Sequence, residues 1–303
     1  RKAYGNALVK IFHKYPDIVV MDGETSNSTY SEFFAKANPN RYFEMFIAEQ
    51  NMVGAAIGLA RRGKIPFIST MSAFWTRAHD QIRMAGYARA NIKICGSHVG
   101  VWGKDGASQM GLEDISLFRS VIDSVVLYPS DANSTQKLLE QMANHNGLTY
   151  IRTTRMDTPV IYDEKEKFEI GGSKTLKSSN EDKVTIIGAG ITLHEALKAF
   201  EMLKKEGIKV RIVDLYSIKP LDSATLSLAA RETQGLIVVE DHYKEGGIAD
   251  AVRESLVDSK TPVYSLSVTK MPRSGKPEEL LRYEGIDSEG IVSKVKQVLV
   301  SYS

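Results

Sequence analysis

One pattern constrains the fold more than any other: short apolar runs of strand length alternate with segments of helical spacing along the whole chain. In the first half, "DIVVMD" (17–22), "IPFIST" (65–70), "NIKICG" (91–96), "SVVLYPS" (124–130) and "LTYIRT" (148–153) are such runs, which predicts strands. Between them, "YGNALVKIFHKY" (4–15), the stretch after Glu49, "FWTRAHDQIRMAGYARA" (74–90) and "STQKLLEQMANH" (134–145) predict helices. The order restarts after residue 183. "VTIIGAG" (184–190), "VRIVDL" (210–215), "LIVVED" (236–241) and "VYSLSV" (263–268) predict strands. "TLHEALKAFEMLKKEG" (192–207), "SATLSLAARET" (223–233) and "GIADAVRESLV" (247–257) predict helices.

Such alternation calls for parallel strands joined by helical crossovers, with helices covering both faces of the sheet. The polar, charged segment 163–183 divides the two series. The expected architecture is α/β with two domains, each a largely parallel sheet covered by helices. Residues 1–165 form the first, 166–183 a linker with one edge strand, and 184–303 the second.

Composition removes several classes of function. A net charge of +2 and the lack of a basic run argue against nucleic-acid binding. No apolar stretch approaches the ~20 residues that span a bilayer, and no signal-peptide pattern precedes the first strand. The single cysteine, Cys95, excludes an internal disulfide and suits a reducing compartment, so a cytoplasmic setting is expected. The six histidines are scattered, which speaks against a cluster of Cys and His around a metal.

The stretch "FIAEQNMVGAAIGLARRG" (46–63) poses a specific question, because the acid Glu49 opens a helix that is otherwise apolar or small. Acids are common in first turns, where free N–H groups and the helix dipole favour negative charge. A catalytic carboxylate in a dry site is the alternative. A second question is "VTIIGAGITLHEAL" (184–197), a strand turning through Gly188 and Gly190 into a helix, with Asp214 closing the next strand. That resembles a dinucleotide-binding turn, yet Leu193 stands where the third glycine belongs. Two glycines also serve a plain tight turn.

Four polar clusters fall at or just beyond predicted strand ends, the edge where open parallel sheets bind ligands. They are "MDGETSNST" (21–29), "STMSAFWTRAHDQ" (69–81), "GSHVGVWGKDGASQM" (96–110) and "RTTRMDT" (152–158). Together they set Ser28, Phe74, His98, Asp105, Gln109 and Arg155 along one rim. A core aromatic, a loop histidine and a surface ion pair are the structural alternatives for Phe74, His98 and Arg155.

Longer strings carry a family resemblance. "FIAEQNM", "FWTRAHDQIRM", "GSHVGVWGKDGASQMGLEDISLFRS", "YPSD" and "YIRTTR" resemble the pyrimidine-binding domain of the transketolase family. "IGAGITLHEAL", "VEDHYKEGGI" and "MPRSGKPEELLRYEGID" resemble that family's C-terminal domain. The resemblance covers almost the whole chain and implies a thiamine diphosphate enzyme. It implies that Glu49 hydrogen-bonds N1′ of the cofactor's aminopyrimidine. It also implies that Phe74 stacks on that ring, and that Met71, Arg77 and Glu24 belong to the cofactor's surroundings. Met71 stands where many relatives have a second aromatic, and Glu24 matches an aspartate.

The substrates implied are ketose and aldose phosphates. Arg1, Ser28, His98 and Arg155 match the phosphate-binding set, with arginine offering a bidentate fork for phosphate oxygens. Asp105 matches the reader of the acceptor's C2 hydroxyl. Gln109, with His98, matches the groups that act on the two-carbon unit.

In the family, the cofactor's diphosphate is held through Mg²⁺ or Ca²⁺ by a domain marked Gly-Asp-Gly and a following Asn. Here "MDGE" and "GKDG" match only in part, and no cage of oxygen ligands for such an ion is evident, so no metal ligands are assigned. The chain is therefore expected to be the C-terminal subunit of a split transketolase, the alternative being a fragment of a longer one. A partner chain would carry the diphosphate-binding domain and the ion, and a symmetric assembly would hold a second copy of this chain. The β subunit of a 2-oxoacid dehydrogenase and a deoxyxylulose-phosphate synthase relative are the rivals of similar layout. An NAD-type binding domain and a non-catalytic paralogue are rivals of other classes.

Overall fold

The computed structural model describes residues 1–101 and 104–301. Trp102 and Gly103, inside the "GSHVGVWGKDGASQM" string, lie outside the described residues.

The first half contributes strands β1 (Ile18–Asp22), β2 (Tyr42–Glu44), β3 (Ile65–Met71), β4 (Lys93–Val99), β5 (Val125–Leu127) and β6 (Thr149–Thr154). Its helices are α1 (Lys2–Phe12), α2 (Ser26–Thr29), α3 (Glu32–Ala37), α4 (Glu49–Arg61), α5 (His79–Tyr87), α6 (Asp114–Arg119) and α7 (Ala132–Asn144). The second half contributes β7 (Lys174–Lys177), β8 (Val184–Gly188), β9 (Val210–Asp214), β10 (Ser217–Lys219), β11 (Leu236–Tyr243) and β12 (Val263–Val268). Its helices are α8 (Ile191–Lys205), α9 (Ser223–Glu232), α10 (Ile248–Ser255), α11 (Pro277–Glu284) and α12 (Ser288–Val300).

Two sheets result, ordered β10-β5-β6-β4-β3-β1-β2 and β12-β11-β8-β9-β7. Pairing is parallel except at β10–β5 and β7–β9. The architecture is α/β, with two largely parallel sheets covered by helices. The polar segment after residue 163 supplies the antiparallel edge strand β7. The short β10 crosses from the second half into the first sheet, so the two halves interlock. No helix of the described residues is long and apolar enough to cross a membrane.

The strands form where apolar runs can be buried on both faces: every residue of β1, β4, β8 and β9 is buried. Helix α1 buries Tyr4, Ala7, Leu8 and Ile11, the three- and four-residue spacing of one face. Helix α7 begins at Ala132, two residues before the predicted start. Asp131 accepts from the Ser134 amide at 2.7 Å and the Ser134 hydroxyl accepts in return from the Asp131 amide at 3.0 Å. That reciprocal cap satisfies two amides of the first turn. The helix predicted from Phe74 is shorter than expected, because Ser72–Ala78 takes a 3₁₀ turn and the α-helix runs only from His79 to Tyr87.

Candidate functional site

The C-terminal ends of β1, β3, β4 and β6 share one edge of the first sheet, and the loops leaving them carry most of the proposed site residues. Arg1 ties three of those loops together. Its Nη1 donates to the Ser28 carbonyl at 2.7 Å, and its Nε and Nη2 donate to the Arg155 carbonyl at 2.9 and 2.6 Å. Nη1 also lies 3.4 Å from His98 Nε2. The Arg155 guanidinium, by contrast, pairs with the Asp105 carboxylate. Arg1, Ser28, His98, Asp105 and Arg155 thus form one cluster. Ser28 enters it through its backbone carbonyl rather than its hydroxyl.

His98 is 7% exposed. Burial first, then the positive charges of Arg1 and Arg155, push its imidazole down to about 3, so the ring is neutral at physiological pH. Arginine can only donate, so Nε2 is the accepting nitrogen. Nδ1 then carries the proton toward Ser97 Oγ, 3.1 Å away.

A second group forms around α4. Glu49 is 3% exposed and occupies the first helical position, where free amides favour an anion. Arg77 Nη1 donates to its Oε1 at 2.7 Å, while Oε2 has no hydrogen-bond partner among the described residues. The Arg77 guanidinium lies 4.6 Å from the centre of the Phe74 ring. Met71 ends β3 and leads into the turn carrying Phe74 and Arg77. The apolar Phe43, Phe46 and Ile47, just before Glu49, stand exposed.

Two expected members stand apart. The Glu24 side chain is exposed and joins neither group, although its amide donates to Glu44 Oε1 at 2.8 Å. Gln109 ends the short turn Ala107–Gln109 and is half-buried, with no side-chain hydrogen bond among the described residues. Glu24, Tyr30, Phe46 and His98 hold φ of 58, 65, 53 and 60°, a conformation unfavourable for residues with a Cβ. Backbone strain of this kind concentrates where surrounding structure over-determines a functional surface.

The sequence reading missed the buried acids beneath this edge. Asp22 ends β1 and accepts from the Thr25 amide at 2.6 Å, the Thr29 hydroxyl at 2.7 Å and the Ser31 hydroxyl at 2.8 Å. It thereby shapes the loop carrying Glu24 and Ser28. Burial outweighs these hydrogen bonds and pushes its carboxyl up to about 6. The available signal was an acid closing an apolar strand, followed by a run of hydroxyl residues. Arg152, inside β6, is fully buried between Asp114 and Asp241. A charge within the apolar run "LTYIRT" was its signal.

The glycine turn of the second half is closed to a dinucleotide. A Cβ at Gly190 would overlap the Tyr128 ring, so the first domain fills the approach a pyrophosphate would need. Asp214 is fully buried and accepts from Ser130 Oγ at 3.0 Å and the Tyr162 hydroxyl at 2.6 Å. It is committed to the junction between the halves and has no free edge for a ribose.

Residues 1–160 match the family model for the transketolase pyrimidine-binding domain, and residues 173–291 match that for the transketolase C-terminal domain. Human transketolase is 50% identical over 303 residues, covering 99% of this chain and 49% of the human protein. Rat transketolase is 52% identical over 300 residues, covering 98% of this chain and 48% of the rat protein. The chain thus spans about half the length of the curated relatives it matches. A solved split-gene transketolase, described as an inactive β4 tetramer, matches with a TM-score of 0.92 at 38% identity, covering 99% of this chain and 98% of that one. Transketolase from Pichia stipitis in complex with sedoheptulose 7-phosphate has the same fold, with a TM-score of 0.83 at 20% identity over 99% of this chain and 46% of that one. The chain belongs to the transketolase family and comprises its pyrimidine-binding and C-terminal domains.

Proposed function

We propose that this chain supplies the pyrimidine-binding half of a thiamine-diphosphate-dependent transketolase. In this reading a partner chain carries the diphosphate-binding domain and its Mg²⁺ or Ca²⁺ ion, and the completed enzyme moves a two-carbon ketol unit from a ketose phosphate to an aldose phosphate. The observation that carries the reading is Glu49: a nearly buried carboxylate with one oxygen held by Arg77 and the other without a described partner, the same Arg77 lying against the partly exposed Phe74 ring. These residues fit an aminopyrimidine, which offers a flat apolar face and a ring nitrogen that can share a proton.

When bound, the cofactor supplies the nucleophilic carbon that carries the two-carbon unit between sugars. Glu49 Oε2 would share a proton with the pyrimidine nitrogen, and Phe74 would cover the ring's face and keep water away. Arg77 fixes the rotamer of Glu49. At the mouth, Arg155 would take a substrate phosphate. Its present partner, Asp105, is well exposed, and an ion pair at such a position is worth only about 0–1 kcal/mol, so it opens at little cost. Asp105 would then be free to accept from a sugar hydroxyl.

Two further observations support a partner. The exposed Phe43, Phe46 and Ile47 beside Glu49 form the kind of apolar surface that another chain covers. The split-gene neighbour extends over nearly the same length as this chain, and its own β4 tetramer is described as inactive. The expected assembly contains two copies of each chain. The test is co-expression with a chain carrying the diphosphate-binding domain, followed by an assay with ketose and aldose phosphates. Ketol transfer by the pair and none by this chain alone is the expected result. Activity with a 2-oxoacid instead, or none with any partner, contradicts the proposal.

A further inference from the structure

The second domain contributes none of the residues assigned to the site, yet the end of β11 reaches the base of the loop that carries Asp105 and Gln109. Four consecutive residues there each make a tie. Glu240 accepts from the amides of Ile248 and Ala249 and so fixes the strand to α10 of its own domain. Asp241 Oδ1 accepts from Arg152 Nη1 at 3.0 Å, and its Oδ2 accepts from the Tyr128 hydroxyl at 2.8 Å. His242 Nε2 accepts from the Ser116 amide at 3.4 Å, and the Tyr243 amide donates to the Leu112 carbonyl at 3.1 Å.

Arg152 passes this hold to the loop. Its Nη2 donates to the Gly111 carbonyl at 3.2 Å, and its Nε and Nη2 donate to the two oxygens of Asp114 at 2.7 and 3.0 Å. Gly111 closes the loop: its amide donates to the His98 carbonyl at 3.1 Å, and its carbonyl accepts from the Gly100 amide at 2.9 Å. At the other end, Gly100 lies so close to Asp241 that a Cβ there would overlap the carboxylate. Both ends of the loop therefore rest on one buried ion group, and no described member of that group reaches solvent. Burial alone would push the Arg152 guanidinium down, but Asp114 and Asp241 outweigh it and hold the cation charged.

We propose that Asp241, acting through Arg152, is a positioning residue by which the second domain fixes Gly100 and Gly111, the two ends of the loop, and hence the placement of Asp105 and Gln109 toward the acceptor sugar. The inference rests on the proposed reading of that loop as acceptor-binding. It gives the second domain a definite task in the reaction. The ligand edge of its sheet is used to brace the first domain's site instead of binding a ligand of its own.

Asp241→Asn keeps the shape and removes the charge, and Tyr128→Phe removes only one hydrogen bond to Asp241, a milder change should the first variant fold poorly. Lys219→Met is the control: Lys219 Nζ donates to the carbonyls of Arg119 and Val121 and so ties the halves together away from the loop. Hydrogen exchange of peptides covering residues 99–111, measured on the full chain, is the direct readout. Asp241→Asn should speed exchange there by about ten- to a hundredfold, the factor a lost hydrogen bond to a charged group supplies. Tyr128→Phe should do so less strongly, and Lys219→Met should leave the loop unchanged. Unchanged exchange in both Asp241→Asn and Tyr128→Phe, or an equal increase in Lys219→Met, overturns the inference. With the partner chain present, Asp241→Asn should also raise KM for the acceptor and weaken the preference for acceptors bearing a C2 hydroxyl, while cofactor affinity holds. Faster loop exchange with unaltered acceptor kinetics would leave the brace standing and overturn the acceptor-binding reading of the loop.

Discussion

Arg77 Nη1 donates to Glu49 Oε1 across 2.7 Å, so a half-exposed cation orients a carboxylate that is almost wholly buried. The exposure of Arg77 limits the pair's contribution to stability to about 1 kcal/mol. Its value lies in holding one rotamer of Glu49. Arg77→Met should therefore leave the urea midpoint almost unchanged while raising the Kd for thiamine diphosphate, with the partner chain present, by roughly two- to tenfold, the cost of immobilising one side chain on binding. An unchanged Kd in a titration of the completed enzyme would contradict this role.

Arg155→Ala removes the cation assigned to substrate phosphate and frees Asp105 from its ion pair. KM for phosphorylated sugars should rise while kcat changes little, because the phosphate is bound equally in ground and transition states. Steady-state kinetics with phosphorylated and unphosphorylated acceptors checks it. A loss confined to kcat, or an equal loss for unphosphorylated sugars, speaks against phosphate binding here.

His98 should report on its surroundings through pH. Burial, reinforced by Arg1 and Arg155, holds it at about 3 instead of 6.5. Between those values the unfolded chain binds a proton that the folded chain does not, so this residue's contribution to stability rises with pH. It is complete above about 6.5 and lost as pH falls toward 3. The stability difference between wild type and His98→Asn, measured by urea unfolding at a series of pH values, should grow across that window and level off above it. A difference independent of pH contradicts a buried, neutral His98.

Gly190 sits at φ 56° with the Tyr128 ring against its Cα. Gly190→Ala must place a Cβ in that ring and in an unfavourable backbone region, which should cost roughly 2–4 kcal/mol. Urea unfolding measures the loss. The same packing leaves no room for a dinucleotide, so calorimetric titration of the wild-type chain with NAD should show no heat of binding.

The strands most legible in the sequence are those with an unbroken apolar stretch, such as Ile18–Met21 in β1 and Leu236–Val239 in β11. Strand β2 was not, since Tyr42–Glu44 has no fully buried residue. Strand β10 was not either: only Ser217 and Lys219 pair antiparallel with β5 of the other half, and nothing local announces a partner so distant in sequence. The candidate site was legible as a list of loops at strand ends, from which the fold gathers Arg1, Ser28, His98, Asp105 and Arg155 into one cluster and Glu49, Arg77 and Phe74 into another. The supports beneath were hidden. Asp22, Asp114 and Asp241 look like ordinary loop or cap acids until the sheet brings hydroxyls or Arg152 against them, and that juxtaposition is set by tertiary packing.

Glu49 is proposed to share a proton with the cofactor's pyrimidine ring, and hydrogen–deuterium exchange at C2 of the bound thiazolium tests that role. In the enzyme completed by its partner chain, Glu49→Gln should slow that exchange by about 10²–10⁴-fold, the range for loss of a positioned proton-sharing group, while the fold and the cluster around Arg155 persist. Exchange at the wild-type rate in Glu49→Gln would contradict the account.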